Sequence, residues 1–407
     1  MKLLCRIAFI GLFSFAAQAN APAGARLYMI SQTNLKISKG TIAPKVVETS
    51  AEHAIVQLTA VEVTKLSHHF HEEINICGGY IDITDEFARS KKDMKSFLAD
   101  EARIPVATFD KTEPTFPEQV KMALTKFDKT RYWSFLTQLS ALPNRNGKTP
   151  EGARAAQLLG DHALKIASDL GRTDVTVKYI PTPGYLQPST LIKVAGKNPA
   201  LPATLMGAHM DTINSKIFGS RLEPGADDDG TGTSTVMEVY HAVLSSRLKF
   251  DRDMYFAFYA AEEHGLIGSG VMARAFVAEG IKVRGVLQFD MTGYKAPQDI
   301  LQIYFINDNV DPAMTTFLKK LTVNYVGIPM DQIGDDKCGY ACSDHAQWQR
   351  NGYPAAFPFE SSFRNDNKAI HSATDLMNIL DVEHSSKYAK LGIAFAVETA
   401  DPLPVRK

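Results

Sequence analysis

Apolar and polar positions divide the chain into stretches of strand period, helix period and turn. Residues 173–180 and 189–195 alternate with period two, and Pro181, Pro183, Gly184 and Pro188 make the connection between them. Residues 203–206 are a short, continuous apolar run, which reads as a strand buried on both faces. Strand and helix then alternate: helix over 233–246, strand over 254–261, helix over 265–279, strand over 285–289. That order predicts an α/β fold with a mixed, largely parallel sheet sandwiched by helices. Apolar residues also recur at helical spacing over 116–140 and 151–170, with a break at Pro143-Asn144. These two stretches are the expected covering helices.

The first hundred residues have another character. Residues 53–63 and 79–84 are β-like, 85–102 is charged and helix-like, and a loop with Pro105, Pro114 and Pro117 follows. This reads as a pro-region of α+β character over 20–111, joined by a linker that an activating protease cuts. An accessory domain that stays attached is the alternative. Ahead of it, Lys2 and Arg6 lead into the apolar residues 7–17, and Ala17-Gln18-Ala19 is a small-x-small cleavage site. Residues 1–19 are therefore a secretory signal peptide, and the protein is expected to be secreted, to the periplasm or outside the cell.

Composition narrows the partners. Of 407 residues 45% are hydrophobic, enough to fill a sizeable core, and 44 basic against 45 acidic residues leave a net charge of −1. Neither nucleic acid nor an anionic membrane is drawn to such a chain, and a monomer is the default. Four cysteines are present: Cys5 leaves with the signal, Cys77 belongs to the pro-region, and Cys338 and Cys342 are separated by Gly-Tyr-Ala. In an oxidising compartment the close pair forms a disulfide. As a structural zinc site it lacks the further cysteine or histidine spacing required.

Candidate chemistry gathers at the strand ends. His209 follows the 203–206 run, Glu262-Glu263 follow 254–261, Asp290 follows 285–289, and His371 closes a segment after the apolar 354–360 run. Asp227-Asp228-Asp229 stand beside Gly225 and Gly230. Open α/β sheets bind ligands at the carboxyl ends of their strands. Two histidines and several carboxylates suit two zinc ions roughly 3.5 to 4 Å apart. Asp228, Glu263 and Asp290 with one bridging hydroxide balance the four positive charges. Two other tracts fall short of their motifs. His68-His69-Phe70-His71-Glu72-Glu73 lacks the second histidine of His-Glu-x-x-His, and Gly230-Thr-Gly232 lacks the lysine of a phosphate loop. There is no Gly-x-Ser-x-Gly elbow either.

The motifs GAHMD, PGADDDGTG, AAEEHGLIGS, FDMTGYK, CGYACSDHA and PFES…IH, in this order between about Thr115 and Asp375, resemble the secreted bacterial leucyl aminopeptidases. These are co-catalytic di-zinc exopeptidases with a pro-region. The resemblance implies a catalytic domain over 112–407 that removes an apolar, Leu-like residue from peptide or protein N-termini. It implies that Asp228 bridges, that Glu263 and His371 hold one zinc, and that His209 and Asp290 hold the other. It makes Glu262 the general base, Asp211 the carboxylate that orients His209, and Tyr340 the hydroxyl that stabilises the tetrahedral intermediate. Met291, Ile303, Phe357, Phe359, Phe363 and Ile370 match the specificity pocket. Where members with a strongly apolar pocket carry an aromatic before the last histidine, this chain reads Arg364-Asn365-Asp366-Asn367-Lys368. That departure opens the pocket to basic N-terminal residues near Asp366. Other readings in the same fold class are a glutaminyl cyclase, a carboxypeptidase or a non-catalytic ectodomain, the last disfavoured because every ligand type is present.

Overall fold

A computed structural model describes residues 25–70, 78–101, 106–216 and 219–404. The expected signal peptide, Cys5, Cys77 and the His71-Glu72-Glu73 part of the histidine tract lie outside the described residues.

The N-terminal unit contains four strands, β1 (Arg26–Ser31), β2 (Lys45–Thr49), β3 (His53–Leu58) and β4 (Tyr80–Asp82), paired antiparallel in the order β2-β3-β1-β4. Its helices are α1 (Gln32–Ile37), α2 (Ala60–His68), α3 (Thr84–Ser90) and α4 (Met94–Glu101). The stretch 53–63 reads as β-like throughout, yet it turns helical at Ala60. Thr59 accepts the Glu62 N–H while Glu62 accepts the Thr59 N–H, and this capping box starts α2. The single helix expected over 85–102 is two, because Lys91 adopts the left-handed conformation at φ 54° and ends α3.

The main unit has helices α5 (Pro117–Leu124), α6 (Lys129–Ser140), α7 (Pro150–Asp169), α8 (Gly230–Ser245), α9 (Ile267–Ala278), α10 (Pro312–Leu321), α11 (His345–Arg350) and α12 (Val382–Ala400). Its strands are β5 (Val175–Ile180), β6 (Ser189–Val194), β7 (Ala203–His209), β8 (Met254–Tyr259), β9 (Val283–Gln288), β10 (Ile303–Ile306), β11 (Ile333–Asp336) and β12 (Ala355–Phe359). They form one sheet in the order β11-β10-β12-β9-β7-β8-β6-β5. The centre is parallel, β12 to β9, β9 to β7 and β7 to β8, while β6 and β5 extend it antiparallel. Asp128 splits the 116–140 stretch into α5 and α6 by accepting the N–H groups of Thr130 and Arg131.

Every residue of β7 is buried, as a central parallel strand requires. Its side chains alternate between two cores. Met206 and Ala208 pack with α8 and α12, while Ala203 and Leu205 pack with Phe276 of α9 and Trp348 of α11. Among the described residues no helix is long and apolar enough to cross a membrane.

The junction between the units comes earlier than 111. Phe109 packs in the main core against Phe317, and the buried Lys111 ammonium donates to the Glu398 carboxylate at 3.0 Å. Residues 106–111 thus belong with the main unit. The N-terminal unit rests on the turn before α9 and on the first turn of α11. Met29, Ile81, Ile83, Phe97 and Leu98 share a cluster with Leu266 and Ala346. Gly265, at φ 107°, lies flush against Tyr80, where an added Cβ would meet the ring at 3.1 Å. On the other side His68 Nδ1 is 3.0 Å from the Ser215 carbonyl.

Candidate metal centre

Because β12, β9, β7 and β8 are parallel neighbours, their carboxyl ends form a row with steps of about 4.8 Å. His209 is the last residue of β7, Asp290 lies two beyond β9, and Glu262 and Glu263 follow β8. His371 arrives from the long connection after β12. Asp228 enters from the segment before α8, joined to Asp229 by a cis peptide bond. Asp229 anchors that segment: its carboxylate accepts from Gly232 N at 2.7 Å, His209 N at 3.1 Å and Met291 N at 3.3 Å. The α8 cap is thereby tied to two strand ends.

Two donor sets result, His209, Asp228 and Asp290 in one and Asp228, Glu263 and His371 in the other, all buried. Asp228 belongs to both. Its Oδ1 lies 3.0 Å from His209 Nε2, which is 3.6 Å from Asp290 Oδ1. Its Oδ2 lies 2.9 Å from His371 Nε2, which is 3.3 Å from Glu263 Oε2. His209 Nδ1 stands 3.2 Å from the backbone carbonyl of Asp211. A proton there leaves Nε2 as a bare lone pair, so Nε2 and the Asp228 oxygen are two acceptors facing each other. His209 Nε2, both Asp228 carboxylate oxygens and Asp290 Oδ1 are buried without a conventional hydrogen bond. Acceptors in that relation fit a shared cation, and nitrogen with carboxylate oxygen is a zinc donor set.

The electrostatics point the same way. Burial would lower the His371 pKa, but Glu263 and Asp228 outweigh it and raise it to about 10. Burial raises Glu263 to about 7 against the opposing pull of His371. Burial also pushes Glu262 well up, reinforced by Asp344, Glu263 and Asp290. Asp228 is the exception: burial would raise it, yet the imidazolium forms of His209 and His371, positive charges standing where a metal cation would, hold it well below the usual carboxylate range. So much enclosed negative charge calls for cations.

Asp211 differs from its expected role. Its carboxylate is 3.7 Å from His209 Nδ1, beyond hydrogen-bond reach, and accepts instead the N–H groups of Glu262 at 2.9 Å and Glu263 at 3.3 Å. It is the backbone carbonyl that orients the imidazole.

The profile of Peptidase family M28 matches residues 190–396. Leucine aminopeptidase 1 of Phaeosphaeria nodorum is 35% identical over 297 residues, 71% of this chain and 75% of that protein. The chain belongs to peptidase family M28. A probable aminopeptidase of Saccharomyces cerevisiae is 32% identical over 70% of this chain and 80% of its own length. The crystal structure of the LapA aminopeptidase of Legionella pneumophila superposes with a TM-score of 0.82 at 32% identity, covering 93% of this chain and 99% of that one. A glutaminyl cyclase of Porphyromonas gingivalis, 17% identical with a TM-score of 0.54, shares the fold. The M28 match includes both donor sets, Glu262 and Tyr340, and starts beyond α7.

Cys338 and Cys342 form the expected disulfide, with Cα atoms 6.2 Å apart. Tyr340 between them packs edge-on to Phe363 in an apolar cluster with Met291, Ile306, Phe357, Phe359 and Ile370. Ile303 is not in this cluster. It lies in the main core beside Phe305, because side chains three apart on a strand point to opposite faces, and Ile306 is the residue of this strand that joins the cluster. Cys342 and Asp366 also line the pocket.

Three supports of this M28 site escaped the sequence. Asp375 accepts the N–H groups of Asp227 and Asp228, at 3.1 and 3.0 Å, and so fixes the backbone of the shared aspartate. Arg145, with no exposed surface, donates to the carbonyls of Met210 at 2.9 Å and of Pro224 and Gly225 at 2.8 Å, bracing the loop on both sides. Asp344 is buried near Glu262, and burial raises it to about 8. A carboxylate four residues beyond His371 was the available hint for Asp375. An arginine among Pro143, Asn144 and Gly147 carries no such signal.

Proposed function

We propose that this metallo-aminopeptidase of family M28 holds two zinc ions in the sets His209/Asp228/Asp290 and Asp228/Glu263/His371 and releases the N-terminal residue of peptides. The single observation that carries the reading is the pair of buried donor sets sharing Asp228, with Glu262 beside them. Bound zinc would acidify the attacking water and polarise the scissile carbonyl. Glu262 belongs to neither set, so its carboxylate is left to take the proton of that water and hand it to the departing amine. Nearby cations would bring its raised pKa down into the working range. The Tyr340 hydroxyl donates to the developing oxyanion, carried on a loop that the disulfide closes. Met291, Phe357, Phe359 and Ile370 bury the side chain of the released residue, favouring those with large apolar area at roughly 25 cal/mol per Å².

Peptides offered in pairs, free and N-acetylated, test the reading. Cleavage of the free member alone, abolished by a chelator and restored by zinc, is the expected result. Cleavage of blocked peptides, or activity indifferent to the chelator, overturns it.

Export through the 1–19 segment and synthesis as a zymogen complete the proposal. The docking of Tyr80 on Gly265 and of Leu98 near Leu266 and Ala346 supports it, since the turn before α9 follows Glu263 and α11 follows Tyr340. A protease cut between Glu101 and Val106 is expected to raise kcat/KM on peptides by roughly tenfold or more, as when the open state is populated less than a tenth of the time. Unchanged kcat/KM in cut protein would leave the N-terminal unit an accessory domain.

A further inference from the structure

The apolar pocket contains one acidic group that the proposed chemistry does not use. Asp366 lines it together with Met291, Phe357, Phe359, Phe363 and Ile370, and only 5% of its surface is exposed. It sits on the same connection that delivers His371, so its position is coupled to the donor sets. Its Oδ1 accepts from the Lys368 ammonium, whose side chain is 59% exposed. A carboxylate enclosed by aromatic and aliphatic groups is costly unless a cation compensates it. A solvated surface lysine is a weak and exchangeable compensation.

We infer that Asp366 determines specificity, receiving the terminal cation of an N-terminal lysine or arginine whose methylene stem lies along the apolar wall. The inference rests on the aminopeptidase reading and names the substrate class of that same site. Long basic side chains present an apolar body and a charged tip, and the lining offers a partner for each, the cavity of about 20 Å³ widening to admit the substrate. Inside it a charge-assisted hydrogen bond is stronger than the same contact in water, so an incoming ammonium displaces Lys368 from the carboxylate. If Asp366 served merely to hold Lys368, substrate choice would be blind to it.

The test uses the zinc-loaded full chain, with and without limited proteolysis, on lysyl, arginyl, norleucyl and leucyl p-nitroanilides. Norleucine has the methylene chain of lysine without the amine. Wild type is expected to prefer lysyl over norleucyl in kcat/KM by roughly tenfold or more, and Asp366→Asn to cut that ratio by roughly 10- to 100-fold. Asp366→Glu should recover part of it, and Lys368→Ala should raise it. Free L-lysine should inhibit more strongly than L-norleucine in wild type, a gap that closes in Asp366→Asn. Should that variant fail to fold, the wild-type ratio and the inhibitor pair still decide. Norleucyl equal to or better than lysyl in wild type, or an unchanged ratio in folded Asp366→Asn, overturns the inference. Failure of the aminopeptidase reading is distinguishable: no free N-terminal residue of any kind would be released, and the inference falls with it.

Discussion

Glu262→Gln lowers kcat on a free peptide by roughly 10²- to 10⁴-fold, the usual contribution of a positioned general base, while KM and zinc content stay near those of the wild type. The amide keeps the shape of the carboxylate and loses only the proton-accepting charge. Zinc should be retained because Glu262 is absent from both donor sets. Folding should survive too, since the Asp211 carboxylate holds residue 262 through its backbone N–H at 2.9 Å, a contact indifferent to the side chain. Burial, reinforced by Asp344, Glu263 and Asp290 against the pull of His209, disfavours a charge at this position, and the amide carries none. Metal analysis and circular dichroism on the same preparation separate a catalytic loss from a structural one. A variant that keeps more than about a tenth of wild-type kcat removes Glu262 from the mechanism.

Asp228→Asn is the second large effect, and it differs in kind. Asp228 offers one oxygen to each imidazole, at 3.0 Å and 2.9 Å, so a neutral amide weakens both cation sites at once. An amide also presents one poor donor atom in place of a second carboxylate oxygen. Zinc content is expected to fall from two per chain to one or none, with activity down by roughly 10³-fold or more. Stability follows the metal, because a ligand present at 100 times its Kd contributes about 2.7 kcal/mol. Two such sites put the expected fall in Tm on the order of 10 °C. Equal zinc content and equal Tm in Asp228→Asn would falsify the shared-carboxylate arrangement. Between them the two substitutions separate chemistry from assembly, the first leaving a loaded centre without its base and the second a base without its centre.

The strand order could not be read from the sequence, although the strands could. Residues 203–206, 254–261 and 285–289 announce themselves through apolar runs and flanking glycine, and each ends beside a His, Glu or Asp. Which carboxyl ends are neighbours is a matter of pairing, and the order β9-β7-β8 is set by long-range contacts that local periodicity does not encode. The same limit applies to Asp227-Asp228-Asp229. Three identical residues acquire three tasks: one is held by Gly293 N and Asn367, one is shared by both donor sets, and one caps α8. Family resemblance singled out the middle residue, whereas composition and spacing treat all three alike.

Local rules therefore carried this chain to an α/β fold, a distinct N-terminal unit and a set of ligand types at strand ends. Period two, period 3.6 and the needs of turns are properties of neighbouring residues, and they are legible wherever the chain obeys them. Tertiary structure decided the rest. Ile303 turned to the core and Ile306 to the apolar cluster around the pocket because sheet pairing chose the face, and Asp211 spent its carboxylate on backbone amides that only the fold brought near. The buried Arg145, the Asp375 brace and the place of Asp366 in the pocket wall arise from segments far apart in sequence. Their energies depend on enclosure, and enclosure exists only once the chain has folded.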